Sequence, residues 1–120
     1  MNDPRVHAPS NPRTAWILLA VGLTVLFEAM TLGLRLGAGL QSPVATAGLA
    51  SFTLGLRIHH GYVGLAILAS APLWRAKFPG SWDRLSAVGA GLVLSDALHH
   101  LVALWALTGS PSFDLFYPCH

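Results

Sequence analysis

Residues 85–107 read LSAVGAGLVLSDALHHLVALWAL, an apolar run that carries one acid and two histidines. At about 1.5 Å per residue, a helix of this length crosses the roughly 30 Å hydrocarbon core of a bilayer. A second run, TAWILLAVGLTVLFEAMTLGLRL, occupies residues 14–36 and carries Glu28 in its interior. Both runs predict transmembrane helices, and together they decide the fold class.

The composition favours the membrane as the solvent of this chain. Of its 120 residues, 10% are charged and 53% are hydrophobic, whereas about 25% of an ordinary soluble domain is charged. A mean hydropathy of +0.57 excludes an intrinsically disordered chain. The small positive net charge is interpreted through the orientation of the chain in the membrane, and no nucleic-acid partner is predicted. Cys119 is the single cysteine, so an internal disulfide is impossible.

A third span is predicted at residues 53–74, before a charged turn at 75–84. The apolar stretch that precedes it is broken by glycines, and Ser42-Pro43 resembles a helix N-cap followed by a first-turn proline. Residues 43–54 therefore predict a short interfacial helix or a re-entrant piece. The predicted fold is an all-α integral membrane protein with three transmembrane helices in an antiparallel bundle, at residues 14–36, 53–74 and 85–107.

The predicted organisation is a disordered cytoplasmic arm at residues 1–13, one transmembrane domain at 14–108 and an interfacial tail at 109–120. Five of the seven Lys and Arg side chains lie in the arm and in the 75–84 turn. The positive-inside rule then places the N-terminus in the cytoplasm and the C-terminus in the periplasm. The sequence thus predicts a multi-pass protein of a bacterial inner membrane.

Ionisable side chains from all three predicted spans lie at one depth. They are Glu28 on the first span, His59 and His60 on the second, and Asp96, His99 and His100 on the third. Counted from the cytoplasmic end of each span, all of them fall about 17–23 Å along the helix axes. Ionisable groups at such depth are costly to insert, so they are expected to face protein or trapped water.

These six residues predict a transition-metal site. Asp96, His99 and His100 stand at positions i, i+3 and i+4, on one helical face, and carboxylate-x-x-His is the spacing of di-iron bundles. We predict these three as the principal ligands, with the other residues as further ligands or support. Imidazole with carboxylate suits Zn, Fe, Cu or Mn. The pattern leaves open whether the metal is used in catalysis, stored or moved, and thus whether the protein is an enzyme.

Other interpretations remain open at this point. Histidines at equal depth on two spans predict, as an alternative, haem or chlorophyll in an accessory subunit of a respiratory or photosynthetic complex. A proton or ion path and a purely structural cluster are further alternatives. Three spans make a thin bundle, so a homo-oligomer or a larger membrane complex is expected. Arg57 is interpreted as an anchor at the outer interface, and Cys119 and His120 as a less favoured ligand source.

The run SDALHH, residues 95–100, is similar to the H-x-x-H-H histidine box of membrane desaturases and hydroxylases, with Asp96 in the first position. Those enzymes carry more histidines, and they carry them on cytoplasmic segments. The resemblance therefore does not imply that this chain has their activity. Together with RIHHGYVGLAIL (57–68) and TGSPSFDLFYP (108–118), the run resembles small prokaryotic multi-pass membrane proteins with paired histidines. That resemblance implies no particular activity.

Overall fold

The computed structural model describes residues 11–39, 48, 51–111 and 113–116. Its helices are α1 (Pro12–Gly37), α2 (His60–Ala69), α3 (Ala71–Lys77), α4 (Pro79–Leu98), a π-helical segment (His99–Leu104) and α5 (Trp105–Thr108). Within these ranges the only β-type pairing is an isolated antiparallel bridge between Leu56 and Phe116. The all-α prediction is confirmed.

The first helix follows the predicted span closely. Pro12 occupies its first turn, where the missing N–H has no helical partner to lose. The Asn11 side chain accepts a hydrogen bond from the Arg13 backbone N–H at 3.0 Å, which is an N-terminal cap. Arg35 lies in the last turn, where its charge complements the helix dipole. Residues 1–10 of the predicted arm lie outside the described residues.

The last three helical pieces form one continuous unit, Pro79–Thr108, which contains the whole predicted span 85–107. The predicted charged turn at residues 75–84 is much shorter in the structure. Only Phe78 separates the two helices, because α3 extends to Lys77 and α4 begins at Pro79. The unit ends at Gly109, whose φ of 71° is the left-handed conformation that commonly terminates helices.

The second predicted span differs most from the structure. Residues 51–55 form turns, with Leu54 and Gly55 at φ of 53° and 82°, and the helix begins only at His60. Extended backbone precedes it, where the Arg57 N–H donates to the Leu115 carbonyl at 2.9 Å. The predicted helix at 43–54 lies for the greater part outside the described residues.

A break divides the second helical region at Ser70, between α2 and α3. Pro72 causes it, because proline has no N–H to donate to the Leu68 carbonyl and its ring crowds that carbonyl. As a result α2 is only 10 residues long. Among the residues that the structure describes, two helices are long and apolar enough to cross a membrane: α1, with a mean hydropathy of 2.1, and Pro79–Thr108, with 1.5.

Small residues let α4 pack closely against both α1 and α2. A Cβ added at Gly64 would lie 2.5 Å from the Gly89 carbonyl oxygen, so α2 and α4 approach at backbone distance there. On the other side, a Cβ at Gly91 would lie 2.9 Å from the Leu23 Cβ of α1. Small residues at helix contacts are typical of membrane helix packing. The close approach brings polar side chains of three helices together.

The interior is mostly polar and the surface mostly apolar. The buried side chains with polar groups are Thr24, Arg57, His59, Ser86, Ser95, Asp96 and His100. Large apolar side chains point outward instead, with Leu18 67% exposed, Val25 63% and Trp105 60%. Soluble domains bury such residues, whereas ionisable residues inside membranes face the bundle interior. The candidate site is formed by buried polar side chains of this interior.

Candidate metal centre

Two buried histidines from distant parts of the chain meet inside the bundle. His59 lies in extended backbone just before α2, with φ −87° and ψ 142°, and His100 lies in the π-helical segment. The two residues are 6% and 5% exposed. His59 Nδ1 and His100 Nε2 lie 3.0 Å apart, so the inner nitrogens of both rings face each other.

The outer nitrogens of both rings contact backbone carbonyls, which only accept hydrogen bonds. His59 Nε2 donates to the Asp114 carbonyl at 3.2 Å, and His100 Nδ1 donates to the Pro111 carbonyl at 2.9 Å. These partners assign the protons of the neutral imidazoles to the outer nitrogens. Both inner nitrogens then carry lone pairs. Two lone pairs 3.0 Å apart repel, so a proton or a metal ion belongs between them.

Asp96 adds a third acceptor to the pair. Its Oδ1 lies 3.7 Å from His59 Nδ1 and 3.9 Å from His100 Nε2, and it receives no hydrogen bond from any residue that the structure describes. A buried carboxylate oxygen without a donor is costly. A shared proton joins only two of these atoms. A metal ion can join all three.

The spacing of the three acceptors fits a metal ion. The point in their plane that is equidistant from the three atoms lies about 2.1 Å from each, which is the length of a zinc bond to nitrogen or carboxylate oxygen. His59, Asp96 and His100 are the group of metal-ligating side chains found in the described part of the chain. Metal-bound histidines commonly donate their second ring N–H to a carbonyl, as both do here.

The π-helical segment separates the two adjacent histidines of the third predicted span. His100 turns toward Asp96 and the tail, whereas His99 Nδ1 lies 3.2 Å from Glu28 Oε1 on α1. π-helical turns are rare and occur often at functional sites. The sequence prediction grouped His99 with Asp96 and His100 as principal ligands. The structure brings His59 to that group and directs His99 to α1.

The remaining predicted residues lie beside the group. His60 Nδ1 lies 3.4 Å from Asp96 Oδ1, and the ring centroids of His99 and His100 lie 5.5 Å apart. Glu28 Oε2 and His60 Nε2 are buried, and neither has a hydrogen-bond partner among the described residues. All six predicted side chains thus lie in one polar region, and three of them converge on one point. Cys119 and His120 lie outside the described residues.

The C-terminal tail closes one side of the site, which the sequence did not indicate. The Phe113 ring stacks on the His59 ring, with centroids 4.8 Å apart and planes 8° apart. Arg57 Nη1 pairs with Asp114 Oδ2 at 3.2 Å, and Arg57 is only 7% exposed. Arg57 therefore links the tail to the extended backbone before α2, and its predicted role as an anchor at the outer interface stays a prediction. The tail contains three aromatic residues and no Lys or Arg. These are the sequence features that could have indicated that it packs against the site.

Comparison with known proteins returned no match: no protein-family model, no curated protein and no solved structure resembles the chain. The function is therefore inferred from the geometry of the site.

Proposed function

We propose that this chain is an integral membrane protein that binds one divalent transition-metal ion through His59, Asp96 and His100. The observation that carries the proposal is the convergence of three buried acceptor atoms, 3.0–3.9 Å apart, with the outer ring nitrogens already satisfied by carbonyls. Two imidazoles and one carboxylate suit Zn²⁺, and Fe, Cu and Mn share these ligand types.

Glu28, His60 and His99 form the supporting polar layer in this proposal. His60 lies against the carboxylate of Asp96, and Glu28 pairs with His99, the chain neighbour of His100. Groups that surround ligands in this way orient them and tune their basicity. The axial-haem alternative is not favoured, because facing nitrogens only 3.0 Å apart leave no space for a porphyrin plane between the rings.

The membrane part of the proposal assigns three spans. Two are α1 and Pro79–Thr108, which are long and apolar enough. The third combines α2 and α3, since residues 60–77 reach about 27 Å at 1.5 Å per residue, close to the roughly 30 Å bilayer core. Exposed apolar side chains around a polar interior support a lipid environment.

The metal proposal is tested by titrating the purified full chain in detergent with Co²⁺, a spectroscopic substitute for Zn²⁺. We expect one ion per chain and a visible absorption band from nitrogen and oxygen ligation. Truncation after Ser110 removes both carbonyl acceptors, Pro111 and Asp114, so we expect the affinity for Co²⁺ to fall about 10–100-fold.

Truncation after Phe116 is the matched control, because it removes Cys119 and His120 but keeps both carbonyls. It should retain the affinity of the full chain. A full chain that binds no Co²⁺ contradicts the proposed function. Loss of Co²⁺ binding on truncation after Phe116 would show that one of the metal ligands lies within residues 117–120.

We propose that the N-terminus is cytoplasmic and that Cys119 lies on the periplasmic side. The support is the five-to-two distribution of basic residues between the two sides. A membrane-impermeant thiol reagent should therefore label Cys119 in cells whose inner membrane is intact. Labelling only after lysis would reverse the orientation. A Cys119→Ser variant controls for labelling of other proteins.

A further inference from the structure

A cavity of about 390 Å³ lies beside the three converging acceptors, between α2, α4 and the tail. This volume falls within the range of small-molecule sites, roughly 300–1,000 Å³. Its walls are almost entirely apolar, with Tyr62, Leu65, Val93 and Leu101 among them. Asp96 and Phe113 also line it. The cavity therefore combines apolar walls with one carboxyl side chain, that of Asp96.

The cavity shares a residue with the proposed metal site and adjoins another. Asp96 is both a cavity-lining residue and one of the three acceptors, and Phe113 stacks on the ring of His59. A Cβ at Gly61 would lie 2.6 Å from Asp96 Oδ2, so the glycine leaves this carboxylate its space. Three protein ligands leave a fourth position open, as in zinc sites that bind substrate.

The charges define what fits that position. A divalent ion with one carboxylate and two neutral imidazoles carries a net positive charge, which attracts an anionic oxygen donor. The walls favour a hydrocarbon tail, because burial of each methylene group is favourable. We propose, on the basis of the metal site proposed above, that the cavity binds an apolar molecule with a terminal carboxylate. Its carboxylate oxygen completes the coordination of the metal.

Octanoate and acetate test this proposal, because they carry the same donor and differ in the tail. The Co²⁺-loaded full chain in detergent is titrated with each, and the visible band of the metal is followed. We expect octanoate to shift the band at a concentration at least about 10-fold lower than acetate does, since its methylene groups are buried in the cavity. Equal concentrations for the two probes would overturn the cavity proposal.

Two tryptophan substitutions locate the effect. Leu65→Trp fills the cavity, and Leu94→Trp places the same ring on α4 outside it; the two leucines are 54% and 49% exposed. We expect both variants to bind Co²⁺, and only Leu65→Trp to lose the preference for octanoate. Equal detergent concentrations keep the partition into micelles the same. A preference that survives in Leu65→Trp overturns the proposal, whereas a wild-type chain that binds no Co²⁺ contradicts the proposed function itself.

Discussion

The variant His100→Asn is expected to bind Zn²⁺ about 100-fold or more weakly than the wild-type chain. Structural zinc sites bind with about 10–16 kcal/mol, so each of three or four ligands accounts for several kcal/mol, and 1.4 kcal/mol is a factor of ten. His100 Nε2 is one of the converging acceptors, 3.0 Å from His59 Nδ1. Calorimetric titration of the detergent-solubilised full chain measures the loss.

His99→Asn is the matched control, because it is the same substitution one residue earlier. His99 contacts Glu28 and is outside the converging group, so we expect its effect to be about 10-fold, the lower end of the range for residues that support metal ligands. Asp96→Asn should match His100→Asn, and the double variant should be little worse than either, because ligands of one site are not additive. Equal losses at His99 and His100 would show that the site is not the one proposed.

The second large effect concerns the close contact between α2 and α4. We expect Gly64→Ala to lower the free energy of unfolding by about 1–3 kcal/mol, the usual cost of overpacking a tight contact. The new Cβ would lie 2.5 Å from the Gly89 carbonyl oxygen, and backbone on both sides limits relaxation. Because α2 follows His59 and α4 carries Asp96, separating these helices should also weaken metal binding. Thermal unfolding in detergent measures the first effect.

Gly22→Ala on α1 is the control for glycine replacement as such. A Cβ at Gly22 would meet nothing within 4 Å, and alanine is the better helix former by about 1 kcal/mol. We therefore expect Gly22→Ala to be neutral or stabilising. Destabilisation of both variants to the same extent would contradict the importance of the α2–α4 contact.

The fold class followed from local properties that the sequence displays directly. Apolar runs at residues 14–36 and 85–107 predicted helices, and α1 and Pro79–Thr108 contain them. In the structure α1 and α4 begin at Pro12 and Pro79, which is two and six residues before the predicted starts at residues 14 and 85. The predicted second helix at residues 53–74 differs from the structure, because Pro72 breaks it and because the extended backbone at Arg57 is held by Leu115, more than 50 residues away in the sequence.

The sequence by itself predicted that the six ionisable residues lie together, because counting at a fixed rise per residue gives them similar depths along the three predicted spans. All six predicted side chains do lie in one polar region. Which of them face the same point was decided only by tertiary structure. The π-helical segment turns His99 and His100 to different neighbours, and the tail carbonyls of Pro111 and Asp114 set the tautomers of the facing imidazoles. Neither effect is encoded in local spacing, because both depend on contacts that form only when the helices and the tail are packed together.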